Sequence, residues 1–266
     1  MSTSISEEHK KYLKKQKRYK ISIIITQIII IVTLFIIWEI LAQKNIINTF
    51  FYSSPSKIIT TIKNLLQTNS LFNHIYITIY EVFLSFLIAT IIGLLTSTIL
   101  WWNKFLSKVF DPYLTILNSL PKVALGPLII IWAGASINSI IVMSLMISLI
   151  ITIINLYNAF ISTNQNYITL LKSMKATKKD IFLKVILPAN KLNIINTLKI
   201  NMSMNFIGVI MGELLVSKEG LGYLIMYGSQ VFNINLVITS IVILGILSSL
   251  FYYLINYLEK KIIKQN

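Results

Sequence analysis

Ionisable and polar side chains inside apolar runs are the residues of this chain best placed to do chemistry. Lys122 stands between Pro121 and Pro127, in a run from Asp111 to Trp132. A second run carries Lys199, Asn201, Ser203 and Asn205 and closes near Glu213. Charge in a hydrocarbon environment is costly and by default marks a functional position. Lys122, Asn201, Ser203, Asn205 and Glu213 are therefore candidates to line a path for a polar solute. Each also has an ordinary reading. Lys122 can snorkel or pair within a bundle. Asn and Ser can bond one helix to another. Glu213 can rest at a membrane interface.

The basic segment from Asn166 to Pro188 is a second constellation. Lys172, Lys175, Lys178, Lys179 and Lys184 alternate with Ile168, Leu171, Met174, Ile181, Phe182 and Val185. The apolar positions recur at roughly helical spacing, which predicts short amphipathic helices outside a bilayer core. Thr177 and Asp180 have the spacing of a capping box. One helix should end near Lys175 and another begin near Lys178, and Pro188 interrupts the pattern. Two roles compete: a basic loop resting on anionic headgroups, or a docking element gripped by a soluble partner.

Other chemistries lack their reagents. There is no cysteine and there are two histidines, which excludes disulfides, Cys-based redox or metal sites, and a His-rich metal site. No phosphate-cradling GxxxxGK[ST] loop, HExxH helix, nucleophile elbow or paired acidic motif occurs. We expect no catalytic residue, no metal and no cofactor.

The elements that position these residues are membrane helices. Of the chain, 55% is hydrophobic and 12% charged, with mean hydropathy +0.74. Several apolar runs reach the ~20 residues that cross a bilayer. The expected fold is an all-α integral membrane protein with six spans, at about 21–42, 75–101, 111–132, 137–160, 190–216 and 231–258. Basic tails occupy 1–20 and 259–266. Between the first two spans, Ser54-Pro55-Ser56 makes a turn into an amphipathic piece, Lys57 to Leu66. Gly93 suits close helix contact. Trp38 and Trp101-Trp102 are interfacial anchors, and Glu39 can reach the outer interface.

Six spans place both termini on one side. On that side lie 18 Lys/Arg, against 4 on the other. The imbalance assigns both termini and segment 166–188 to the cytoplasm. The net charge of +15 is then a matter of topology and not of nucleic-acid binding. No internal repeat and no second domain are visible.

Several motifs carry a family resemblance. They are Ser54-Pro55-Ser56, Leu120-Pro121-Lys122-Val123-Ala124-Leu125-Gly126-Pro127 leading to Ile131-Trp132-Ala133-Gly134, Gly212-Glu213-Leu214-Leu215, and Gly220-Leu221-Gly222-Tyr223. From Trp38 to Lys264 the chain resembles a permease subunit of a binding-protein-dependent ABC importer. The branch is that of sulfonate, taurine and nitrate permeases, with thiamine-precursor and riboflavin relatives. The resemblance implies the permease fold of a type I ABC importer in the cell membrane, surrounded by lipid. It also implies cytoplasmic ATP-binding subunits, a second permease copy and an extracytoplasmic solute-binding protein as partners. The solute would be a sulfonate- or nitrate-like anion or a vitamin precursor.

Segment 166–188 resembles the family's ATPase-coupling motif, Glu-Ala-Ala, three residues, Gly, then a stretch closing on Leu-Pro. Leu187-Pro188 fits the close, and Ser173, Ala176 and Thr177 fit within it. Thr169 takes the acidic position, Leu170 and Leu171 the alanines, and Lys175 the glycine, with Lys172 and Met174 among the intervening residues. By resemblance, Thr169 to Thr177, Asp180 and Pro188 are the coupling residues. A Lys forced into a left-handed turn costs ~1–2 kcal/mol, so the expectation is that the turn differs here or that the partner has adapted. The alternative to an ATP-driven importer is an ion-gradient-driven secondary transporter acting without an ATPase. A membrane-embedded enzyme or assembly factor lacks a catalytic cluster to support it.

Overall fold

The computed structural model describes residues 7–264, and among these there are helices and no strand. Helix α1 (Glu7–Gln43) runs unbroken out of the basic region into the first apolar run. The expected separate tail at 1–20 is therefore in part the first turns of this helix. Glu39 near its far end accepts from the Ser56 N–H at 3.0 Å and the Ser56 hydroxyl at 2.9 Å. Those groups open α3 (Pro55–Gln67), which follows the single turn α2 (Thr49–Tyr52). Ser54 caps α3 and Pro55 occupies its first turn, where a missing N–H costs nothing. A carboxylate at that helix N-terminus also meets the positive end of the dipole.

Helix α4 (Ser70–Trp102) starts five residues before the expected 75. Asn103 then accepts from the N–H groups of Phe105 and Leu106, at 2.9 and 3.2 Å, and starts α5 (Lys104–Ser119). The expected third span, about 111–132 and broken by its prolines, begins earlier, at Lys104, and is interrupted after Ser119. Leu120 is extended, as a residue before proline prefers. A 3-10 turn at Lys122–Leu125 leads into α6 (Gly126–Ala133). The two halves meet at 85°, so this is a broken span or a re-entrant loop and not one kinked helix.

Helix α7 (Ile137–Ile161) is the centre of the bundle, with α4 on one side and α11 (Lys191–Val216) on the other. Small residues set these distances. A β-carbon on Gly93 of α4 would lie 2.6 Å from Thr152 Cγ2. One on Gly208 would lie 2.4 Å from Ser144 Cα, and one on Gly212 would lie 2.9 Å from Ile140 Cα. Gly208 and Gly212 are four apart, the small-xxx-small spacing of close membrane helices. Val82, Ile140, Met202, Phe206 and Val209 fill the core of this three-helix seam.

The expected sixth span from 231 is also corrected. Helix α12 (Leu221–Gln230) occupies part of what reads as an outer loop. It ends in a turn with Phe232 at φ 54°, where Asn233 N–H reaches the Gly228 carbonyl at 2.7 Å. Helix α13 (Ile234–Lys264) then begins. Among the described residues, five helices are long and apolar enough to cross a membrane, and the bent α5–α6 pair makes a sixth crossing if it counts as one span.

Candidate functional site

The segment between α7 and α11 folds as an elbow. Helix α8 (Gln165–Ser173) is capped by Asn164, which accepts from the Asn166 N–H at 2.9 Å. At its other end Lys175 N–H reaches the Lys172 carbonyl at 2.9 Å, and Ala176 N–H reaches the Leu171 carbonyl at 3.0 Å. This pair of bonds is the Schellman stop, and its left-handed residue is Lys175, at φ 58°. A lysine thus holds the conformation that glycine adopts most readily. Leu171 and Ala176 both pack on the same buried cluster, the apolar contact that usually accompanies the motif.

Helix α9 (Lys178–Ile181) follows with the capping box complete. Asp180 N–H reaches Thr177 Oγ1 at 3.2 Å, and Thr177 N–H reaches Asp180 Oδ2 at 3.2 Å. A π turn at Phe182–Ile186 and the short α10 (Leu187–Ala189) lead into α11. Asn190 closes the elbow at its base, donating to Thr163 Oγ1 at 2.7 Å and the Ile186 carbonyl at 2.9 Å. The inner face is buried: Phe182 packs tilted against Trp101 at 5.0 Å and meets Phe160 edge-on at 5.5 Å. The outer face shows Leu170, 58% exposed, and Met174, 72% exposed, among exposed lysines. An apolar pair on a basic, well-fixed elbow is a surface suited to a partner.

Asp180 makes the elbow sensitive to strong acid. Its carboxylate accepts from the Thr177 hydroxyl at 2.5 Å and pairs with Lys184 at 2.9 Å. These bonds, the Thr177 hydroxyl first, pull its pKa down to about 2. A depressed carboxyl contributes stability above its unfolded value, near 3.9, and loses it as pH falls through the folded value. The capping box should therefore be intact at pH 5 and lost only toward pH 2. Carbon-13 NMR of the Asp180 carboxyl in the labelled, solubilised chain should give a midpoint near 2, moving toward 4 in Thr177→Ala. A parent midpoint already near 4 would contradict this geometry.

Two buried polar constellations lie within the bundle. Asn205 accepts from the hydroxyls of Ser144 at 2.8 Å and Ser148 at 3.2 Å, and its amide donates to Asn201 Oδ1 at 2.7 Å. Asn201 in turn donates to Thr90 at 2.9 Å, so this ladder joins α4, α7 and α11. The other constellation centres on Glu213, a path candidate that is 1% exposed. Its carboxyl accepts from the Thr78 hydroxyl at 2.6 Å and the Gly222 N–H at 2.5 Å. Gly220 N–H reaches His74 Nδ1 at 3.0 Å, and Leu221 N–H reaches Thr78 Oγ1 at 2.9 Å. The N–H groups of Gly220, Leu221 and Gly222 at the start of α12, which a helix cannot satisfy itself, thus find acceptors on α4 or α11.

Of the path candidates, Asn201 and Asn205 are brought together in the ladder, and the others stand apart from them. Asn201, Asn205 and Glu213 hydrogen-bond inside the bundle. Ser203 is exposed and donates to the Lys199 carbonyl. Lys122, half-buried, donates to Asn118 at 3.2 Å. Lys199 forms an ion pair with Glu259 of α13 at 2.6 Å. A polar cleft of about 390 Å3 between α7 and α11 is lined instead by Asn155, Asn158, Asn193 and Asn196. Asn155 and Asn158 escape the sequence reading, although their spacing of three places both on one helix face.

The chain is thus a helical membrane bundle with an exposed basic elbow between two of its central helices. The chain belongs to the family described as "Binding-protein-dependent transport system inner membrane component", whose sequence pattern matches residues 86–264. It is a multi-pass membrane protein and a permease component of an ABC importer, a family in which ATP hydrolysis belongs to a separate subunit. It is 27% identical to the putative aliphatic sulfonates transport permease protein SsuC of Bacillus subtilis, covering 86% of this chain and 83% of that one. With the formylaminopyrimidine transport permease protein ThiX of Halalkalibacterium halodurans it shares 29% identity, covering 85% and 90%. Among solved structures, an inward-facing MetNI methionine ABC transporter matches with a TM-score of 0.61 and 22% identity, covering 72% of this chain and 94% of that one. That likeness shows a shared fold.

Proposed function

We propose that this chain carries a small solute across the membrane by docking cytoplasmic ATP-binding subunits on its 166–188 elbow. One observation carries the reading: the elbow fixes its inner face with a buried aromatic cluster and two capping motifs while leaving Leu170 and Met174 uncovered. A rigid elbow at the foot of α7 and α11 transmits movement of a docked ATPase to the two most closely packed helices. The Lys/Arg imbalance supports a cytoplasmic elbow and cytoplasmic termini. A second permease copy is part of this reading by the family resemblance. An extracytoplasmic binding protein would deliver the solute. The names of the relatives favour a sulfonate-like anion or a pyrimidine vitamin precursor.

Co-expression of the tagged chain with its neighbouring genes, detergent purification and native mass spectrometry test this. A mass of two permeases and two ATP-binding subunits is expected. Met174→Asp should weaken ATPase retention by about tenfold, the loss of one central apolar anchor. Lys175→Gly relieves the left-handed lysine and should retain the ATPase at least as well as the parent. A chain that runs alone with nucleotide present, or a Met174→Asp variant that keeps its partner, rejects the docking reading. Mass spectrometry of ligand released from the co-purified binding protein identifies the solute.

A further inference from the structure

Beside the elbow lies a cavity of about 440 Å3, between the ends of α4 and α7, the start of α5, and α8 and α9. Four lysines line it: Lys104 and Lys108, one turn apart on α5, Lys172 on α8 and Lys178 on α9. No Asp or Glu is among its lining residues. Lys178 is held in place, its Nζ donating to the Trp102 carbonyl and standing 5.9 and 5.6 Å from the ring centres of Trp101 and Trp102. Asp180, the elbow's acidic residue, faces Lys184 and does not reach the cavity. Behind this cationic rim the wall is apolar, built from Leu100, Trp101, Phe160, Ile168 and Ile181.

Four lysines at one cavity with no carboxylate in its lining make a local excess of positive charge that favours an anion. A free anion would answer the rim but leave the apolar wall against water. A phospholipid answers both, with its phosphate at the lysines and the start of its acyl chain on the wall. The position agrees, because the cavity opens where α4 ends in its Trp pair, the level at which lipid headgroups lie. Basic pockets between membrane helices bind anionic headgroups by this combination.

We propose that this cavity binds the headgroup of an anionic phospholipid, phosphatidylglycerol or cardiolipin, and that the bound lipid wedges α8 and α9 against α5. The site stands on the cavity's own geometry. Its influence on coupling rests on the docking role proposed for the elbow.

The test is native mass spectrometry of the full chain in detergent, titrated with phosphatidylglycerol, cardiolipin and phosphatidylcholine. The anionic lipids should be retained at least tenfold better than phosphatidylcholine. Lys104→Gln with Lys108→Gln should weaken that retention roughly 30-fold, from two lysines at the usual electrostatic increment each. Both side chains are exposed, so folding should survive. Lys260→Gln with Lys261→Gln, exposed on α13, removes the same charge elsewhere and should leave retention intact. Equal retention of phosphatidylcholine, equal loss in the α13 control, or displacement of the lipid by inorganic phosphate overturns the proposal. ATPase retention measured on the Lys104/Lys108 variant separates the two readings. A partner weakened together with the lipid supports the wedge, a partner kept while lipid is lost keeps the site and overturns the wedge, and a partner absent even from the parent chain rejects docking while leaving the lipid site to its own result.

Discussion

Glu213→Ala should be among the most damaging single substitutions in this protein. The carboxyl accepts from Thr78 through one oxygen and from Gly222 through the other, in a site 1% exposed. Truncation leaves buried donors without partners, at about 1–3 kcal/mol each, and adds a cavity. A loss of roughly 3–5 kcal/mol follows. Glu213→Gln keeps the volume but offers one acceptor where two are used. With the Gln carbonyl on the Gly222 N–H, its amide faces the Thr78 hydroxyl, which already accepts from the Leu221 N–H and loses the acceptor for its own proton. About 1–3 kcal/mol should be lost. The neighbouring glycines leave no room for adjustment, since a β-carbon on Gly220, at φ 102°, would lie 2.4 Å from the Glu213 carboxyl carbon. Thermal unfolding of the purified chain in detergent measures these losses. A Glu213→Ala chain as stable as the parent would show that α12 is not held by this carboxyl.

The second large effect is expected at the crossing of α7 and α11. Gly208→Ala drives a β-carbon to within 2.4 Å of the Ser144 backbone. Backbone atoms of a packed helix cannot rotate aside, so the helices must separate and the Asn205–Ser144 bond stretches with them. Overpacking of this kind costs about 1–3 kcal/mol, and Gly208→Val costs more. Gly245 is the matched control. It also lies within a membrane helix, but nothing stands within 4 Å of its β position. Gly245→Ala should be neutral or stabilise by up to about 1 kcal/mol through helix propensity. Unfolding of both variants in the same detergent decides the matter. Equal behaviour at the two glycines would mean that close approach does not hold α7 to α11.

Local chemistry is legible in the residue order. The capping box at Thr177 and Asp180 needs residues three apart, and the elbow's two short helices fall where that spacing puts them. Pro121 signals a break for the same reason, because proline restricts the residue before it and removes a donor. The angle of 85° across that break is not legible. Nothing within the Lys104–Ala133 stretch sets it, since it depends on where α6 finds a surface against α7. Lys175 is a case between these. The sequence places a lysine where glycine is usual, and the chain keeps the left-handed turn, because two carbonyls of α8 and the packing of Leu171 and Ala176 hold it there.

The sequence alone determined the class: apolar runs of membrane length, a lopsided distribution of basic residues, no catalytic or metal-binding set, and a basic elbow between two spans. These follow from composition and from spacings of a few residues, and such patterns survive in one dimension. Tertiary structure alone decided the role of Glu213, the existence of α12 as a separate helix, and the helix that Gly208 approaches. The partners of α12's first N–H groups include His74 and Thr78, more than 140 residues earlier in the chain. A buried acceptor is worth most where its donor has no other partner, and only the folded bundle shows which donors those are.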